Sequence, residues 1–124
     1  MRVPGFLARQ LIVPGSLRPV ADGFTIAVTN PIGDGRIVRI VRIAVDGQPI
    51  LPDAITARRD GDPTRYRAVD VSPATPVDFR KGDLVTFHVA GHALAPGEHR
   101  LEVGLEEANL GSHEVEVSER AVAG

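Results

Sequence analysis

The chain has no cysteine, no tryptophan and a single tyrosine. Without cysteine there is no disulfide, no thiolate nucleophile and no sulfur ligand for zinc, so packing and hydrogen bonds must hold the fold. Without tryptophan, the exposed aromatic platform on which carbohydrate-binding sandwiches stack sugars has little material. No stretch approaches the roughly 20 apolar residues of a membrane-spanning helix. A formal net charge of −2, with arginines and acids interspersed, lacks the clustered positive face that phosphate backbones require. Near the start, Arg9 and Gln10 interrupt any apolar core of a signal peptide. These features set the expectation of a cytoplasmic protein.

Turn formers, by contrast, are plentiful: thirteen glycines and ten prolines in 124 residues. Frequent chain reversal suits strands better than helices, and the length suits one domain, residues 1–124. Phe24, Ile26 and Val28 alternate with Thr25, Ala27 and Thr29, the period of two expected of a half-buried strand. Leu84–Ala90 repeats it with Val85, Phe87 and Val89 inward. Glu98–Glu106 does so with Leu101, Val103 and Leu105, and His113–Ser118 with Val115 and Val117. Ala54–Arg58 reads as a weaker strand.

The richest apolar run, Ile37–Val45, carries Arg36, Arg39 and Arg42 at every third position, which alone would suit a helix. Its Ile and Val content favours a strand instead. Arg39 and Arg42 can then both reach water only if the strand is broken near Ile40–Val41. Asp46-Gly47 next supplies a hairpin signal, with Gln48–Leu51 returning until Pro52. Arg59–Lys81 reads as a long loop with one possible strand at Tyr66–Val71. The pattern predicts an all-β fold: a two-sheet antiparallel sandwich, Ig-like or jelly-roll-like, of about seven strands.

Chemistry-bearing residues do not converge. His88 and His92 are four apart, but a strand end and a turn separate them, so they need not share a metal; His99 and His113 stand alone. Glu106-Glu107 and Glu114/Glu116 read as solvent-facing strand charges. Ser16, Ser72, Ser112 and Ser118 lack the strand–turn–helix setting of a nucleophile elbow. Gly33-Asp34-Gly35 has no helix behind it to make a phosphate loop. Asp60-Gly61-Asp62 lacks the further oxygens of a calcium site. The expectation is no catalytic residue, no cofactor site and no metal site in this chain.

An interface is the alternative use of its surface. Phe24 and Phe87 belong to the core pattern, whereas Phe6, Tyr66 and Phe79 fall outside clear strands and could anchor a partner, as aromatics and arginines do. The N-terminal segment, residues 1–16, carries Phe6, Leu7, Leu11, Ile12 and Val13, more apolar side chains than a short edge strand needs. Phe6, Leu7, Leu11, Arg36, Tyr66 and Phe79 are therefore the candidate interface. They lie in the N-terminal segment, the Ile32–Arg36 turn and the Arg59–Lys81 loop. The small residues Ala121-Val122-Ala123-Gly124 read as a frayed terminus.

A family resemblance rests on the order of several phrases: Ser16-Leu17-Arg18, Asp22-Gly23-Phe24, Asn30-Pro31, and Val45-Asp46-Gly47-Gln48-Pro49-Ile50. Phe79 with Gly82-Asp83, then Leu94-Ala95-Pro96-Gly97-Glu98-His99, complete it, spanning about Leu17 to Ser118. In that order the chain resembles the small β subunit of bacterial C-glycoside deglycosidases. The resemblance implies a hetero-oligomer with a larger TIM-barrel α subunit, sugar isomerase/epimerase-like, that holds a divalent metal, manganese. It also implies a lyase reaction on 3-oxo-C-glucosides of flavonoid type. A C3 ketone acidifies the C2 proton, the metal stabilises the enediolate, and β-elimination expels the aglycone. The metal and base belong to the α subunit, so this chain would be non-catalytic and inactive alone. Two other readings stand beside it: a stand-alone Ig-like carbohydrate- or protein-binding module, and an Ig-like domain detached from a larger enzyme.

Overall fold

In the computed structural model, which describes residues 10–122, ten strands form two antiparallel sheets. In chain order they are β1 (Arg18–Val20), β2 (Gly23–Thr29), β3 (Gly35–Val45), β4 (Gln48–Pro49) and β5 (Ile55–Arg59). Next come β6 (Tyr66–Arg67), β7 (Val77–Phe79), β8 (Leu84–Ala90), β9 (Gly97–Glu107) and β10 (Gly111–Ala121). One sheet runs β1-β2-β8-β5-β6. The other runs β10-β9-β3-β4, with β7 pairing the opposite end of β3. The all-β, two-sheet expectation holds.

The inward residues are those the alternation selects. Phe24, Ile26 and Val28 of β2 and Val85, Phe87 and Val89 of β8 meet Ile37, Ile43, Leu101 and Val103 across the core, all at most 3% exposed. Burial of each such side chain contributes about 1.5–3 kcal/mol before entropic costs.

The period of three in β3 has a physical origin. Its register against β9 slips twice, between Ile37 and Arg39 and between Ile40 and Arg42. Val38 and Val41 are thus the extra residues of two β-bulges, each delaying the return to a given face by one residue. Ile37, Ile40 and Ile43 then all point into the core, while Arg36, Arg39 and Arg42 are all exposed. One break was expected near Ile40–Val41; the second, at Val38, carries no glycine or proline to announce it. Arg39 and Arg42 pair with Glu106 and Glu102 of β9 at 3.5 and 3.3 Å.

Three expectations are corrected. The Arg59–Lys81 stretch is mostly exposed, with β6 inside the strand expected at Tyr66–Val71, but it also carries a 3-10 turn at Ala68–Asp70 and β7, and Ala68, Val71, Val77 and Phe79 are buried. Within the N-terminal segment, Ile12 is 3% exposed and bridges to Val28, so its apolar side chain serves the domain's own core. Ala121 is part of β10, and the Val122 N–H donates to the Leu17 carbonyl at 2.9 Å, so these two residues are tied down, while Ala123 and Gly124 lie outside the described residues.

A candidate ligand pocket between the sheets

Where β2 ends, β3 begins and the β9–β10 hairpin turns, the two sheets part around a cavity of about 210 Å³. Its floor is core: Ile12, Val28, Ile37, Val103 and Val115, each 7% exposed or less. Its mouth carries Ile32 and Leu110, which are 55% and 60% exposed although both are large and apolar.

Two polar side chains shape that mouth. Asn30, 7% exposed, donates from Nδ2 to the carbonyls of Gly33 and Phe79, both at 2.6 Å. Its Oδ1 accepts from the N–H groups of Ile32 and Gly33. The Ile32–Gly35 turn is thereby fastened to β7 of the facing sheet. Glu107 closes the other side, its carboxylate accepting from the N–H groups of Arg36, Asn109 and Leu110 at 2.9–3.1 Å. Partial burial pushes its pKa up, but the backbone amides of Arg36, Asn109, Leu110 and Ala108 outweigh that and hold it below the usual glutamate value. His113, also lining the cavity, donates Nδ1–H to the Gly111 carbonyl at 3.0 Å.

The candidate interface residues separate. Leu11 and Phe79 both line this cavity, and Arg36 borders a neighbouring cleft with Asp78, Arg80 and Glu107. Phe79 is 9% exposed and sits in a strand, so it is a core residue and no surface anchor. Tyr66 is half-buried on β6, at the edge of the other sheet and packed against the core. Phe6 and Leu7 lie outside the described residues.

Several other polar groups hold turns or corners. His99 lies between Asp46 Oδ2 (2.7 Å from Nδ1) and the Ala95 carbonyl (2.6 Å from Nε2). A carboxylate and a carbonyl only accept, so the site favours a protonated ring whose two nitrogens both donate, and both are engaged in holding the turn. The Asp46 contact, with the Ala95 carbonyl behind it, raises the His99 pKa against the opposing effect of burial. His88 Nε2 meets Asp22 at 2.9 Å, and His92 sits edge-on to Phe24. Ser16 donates its hydroxyl to the Val13 carbonyl at 2.6 Å. Asp83 is bound to Arg59 at 3.0 Å and to the Arg80 N–H at 2.8 Å. Asp62 accepts from the Thr64 N–H and donates its own N–H to the Arg59 carbonyl at 3.0 Å, so Asp60-Gly61-Asp62 forms a turn. Among the described residues, no three His, Asp or Glu side chains gather as a metal would require. Asn30 and Glu107 were not picked out by the sequence reading. A buried-looking Asn before Pro was the available signal for the first; Glu107 was grouped with Glu106 as a solvent charge.

The family model for the N-terminal domain of hydroxymethylglutaryl-CoA reductase matches residues 7–122. The chain belongs to that family. No curated protein matches it. The match overturns the deglycosidase resemblance and, with it, the accessory role in a carbon–carbon lyase. The structure explains why those phrases misled. Asp46-Gly47 is a hairpin with positive φ at both residues (52° and 82°). Gly23 packs against the Val89 carbonyl, Gly82 and Gly97 take positive φ at corners, and Asn30 stitches a turn. Each is what a sandwich corner demands of any sequence, so their order carried topology and no chemistry. What holds is coarser: the family is that of an enzyme, a reductase.

Proposed function

We propose that this chain is a non-catalytic β-sandwich domain of a hydroxymethylglutaryl-CoA reductase, working against the catalytic part of that enzyme. The family match, running through the whole described sandwich, carries the reading. In support, His99 is spent on the Asp46 turn and the Ala95 carbonyl, and Asp62 and Asp83 on the turns that hold Thr64 and Arg80. The manganese-bearing barrel partner came only with the deglycosidase resemblance and is not carried over. Its place as partner is taken by a larger reductase chain or domain, with exposed Arg36 and half-buried Tyr66 kept as contact residues. A cytoplasmic setting goes with the proposal, supported by the absence of cysteine.

The test is co-expression with the reductase catalytic chain of the same genome, followed by size-exclusion chromatography. Turnover of hydroxymethylglutaryl-CoA, supplied with a nicotinamide hydride donor, is followed by chromatography of the thioester. The expected result is co-elution, with no turnover by this chain alone. Failure to associate, or turnover by the sandwich by itself, overturns the proposal.

A further inference from the structure

The cavity between the sheets is deep, apolar and open, a combination the reductase assignment does not use. We propose that it is a binding site for a small uncharged hydrophobic molecule: one aromatic ring or a branched chain of similar bulk, bearing a hydroxyl.

Size sets the bulk. A dry apolar cavity of about 150 Å³ takes up benzene, so one of about 210 Å³ accommodates a ring with a few further atoms. Depth argues for a whole molecule over a protein surface. The walls descend from Ile32 and Leu110, more than half exposed, to Val28, Ile37 and Val103, at most 3% exposed. A hydrophobe entering there leaves water on the sides its walls cover, at a gain of about 25 cal/mol per Å² of apolar area.

Charge sets the class. Asp34 and Glu107 are the carboxylates of the lining, and among the described residues no lysine or arginine side chain belongs to it. Backbone amides keep Glu107 ionised, so an anionic ligand meets negative charge in a site of low dielectric. The head group follows from His113. Because its Nδ1–H is committed to the Gly111 carbonyl, Nε2 is the ring's acceptor when neutral, which matches a hydroxyl donor.

The experiment is a methyl NMR titration of the full chain with benzyl alcohol and, separately, phenylacetate. Saturable shifts are expected at the methyl groups of Ile37, Val103, Leu105 and Val115 with benzyl alcohol, and binding at least tenfold weaker with phenylacetate. Val115→Phe, which fills the cavity, should abolish the shifts. Leu110→Glu, at the exposed mouth, should weaken them while leaving strand amide resonances in place, so an unfolded core variant does not spoil the test. Absence of saturable shifts, equal binding of phenylacetate, or unchanged binding in Leu110→Glu overturns the proposal. The titration needs no reductase partner, so its outcome is separate from that of the association experiment.

Discussion

The side-chain amide of Asn30 donates to the backbone carbonyl of Phe79 at 2.6 Å, joining the end of β2 in one sheet to β7 in the other. A second donation to Gly33 and two acceptances from Ile32 and Gly33 use the amide at both ends. Asn30→Asp keeps the acceptors but turns a carboxylate toward two carbonyls. Leaving buried polar groups unmatched costs about 1–3 kcal/mol each. The substitution should therefore lower stability by about 2–3 kcal/mol in urea denaturation. A loss below about 0.5 kcal/mol would show that water replaces the bond without penalty.

Gly23 opens β2 against the backbone of Val89 in β8. A Cβ placed there would overlap the Val89 carbonyl, which is strand backbone with no rotamer to escape into. Its φ is not positive, so the requirement is space alone. Gly23→Ala should cost about 3 kcal/mol, the upper end of the range for overpacked sites, because the clash is with backbone. Gly15→Ala, where nothing lies within 4 Å but φ is +75°, should cost only about 1 kcal/mol, for left-handed backbone. Thermal melts of the two variants compare space with conformation directly, and equal losses would refute the distinction.

Asp46 combines two roles that substitution can separate. It occupies left-handed backbone at φ 52° in the β3–β4 turn, and its carboxylate holds His99. Asparagine is at home in that turn, so Asp46→Asn removes the charge and keeps the hairpin. His99 has its folded pKa raised above the ordinary 6.5, first by Asp46 and then by the Ala95 carbonyl. A raised folded value means the stabilisation is complete below pH 6.5 and is lost as pH rises through the folded value. NMR titration of the His99 ring should place its pKa above 6.5 in the parent and closer to it in Asp46→Asn. An unmoved pKa in the variant would remove Asp46 as the cause.

Alternation made β2, β8 and β9 legible because large apolar side chains fall on one face of each and smaller or polar ones on the other, a period of two that a helix does not produce. The arginines of β3 revealed a bulge because a charge on the buried face is too costly to ignore. The second bulge, at Val38, hid because a valine tolerates either face. The cavity was not legible, since Ile12, Val28, Phe79 and Val115 come together only once both sheets are closed. Phe79 was misplaced for a related reason: a three-residue strand is too short to display a period. The family was misread because corner phrases such as Asp46-Gly47 answer to backbone geometry shared by many sandwiches.

Glu107 holds the far side of the cavity by accepting from the N–H groups of Arg36, Asn109 and Leu110. Partial burial disfavours its charge, yet the backbone donors prevail and its folded pKa falls below the ordinary 4.5. A depressed folded value means the stabilisation is present above pH 4.5 and is lost as pH falls through the folded value. Glu107→Gln keeps one acceptor but offers an NH₂ to amides that need an oxygen. The expected loss is about 1 kcal/mol near neutral pH, discounted for solvent access. Denaturation of both proteins at about pH 7 and about pH 3 decides the matter. The gap should narrow in acid, because the parent carboxylate is then protonating too. An equal gap at both values would mean that Glu107 acts through shape and not through charge, and the acidic rim assigned to the cavity would lose one of its two members.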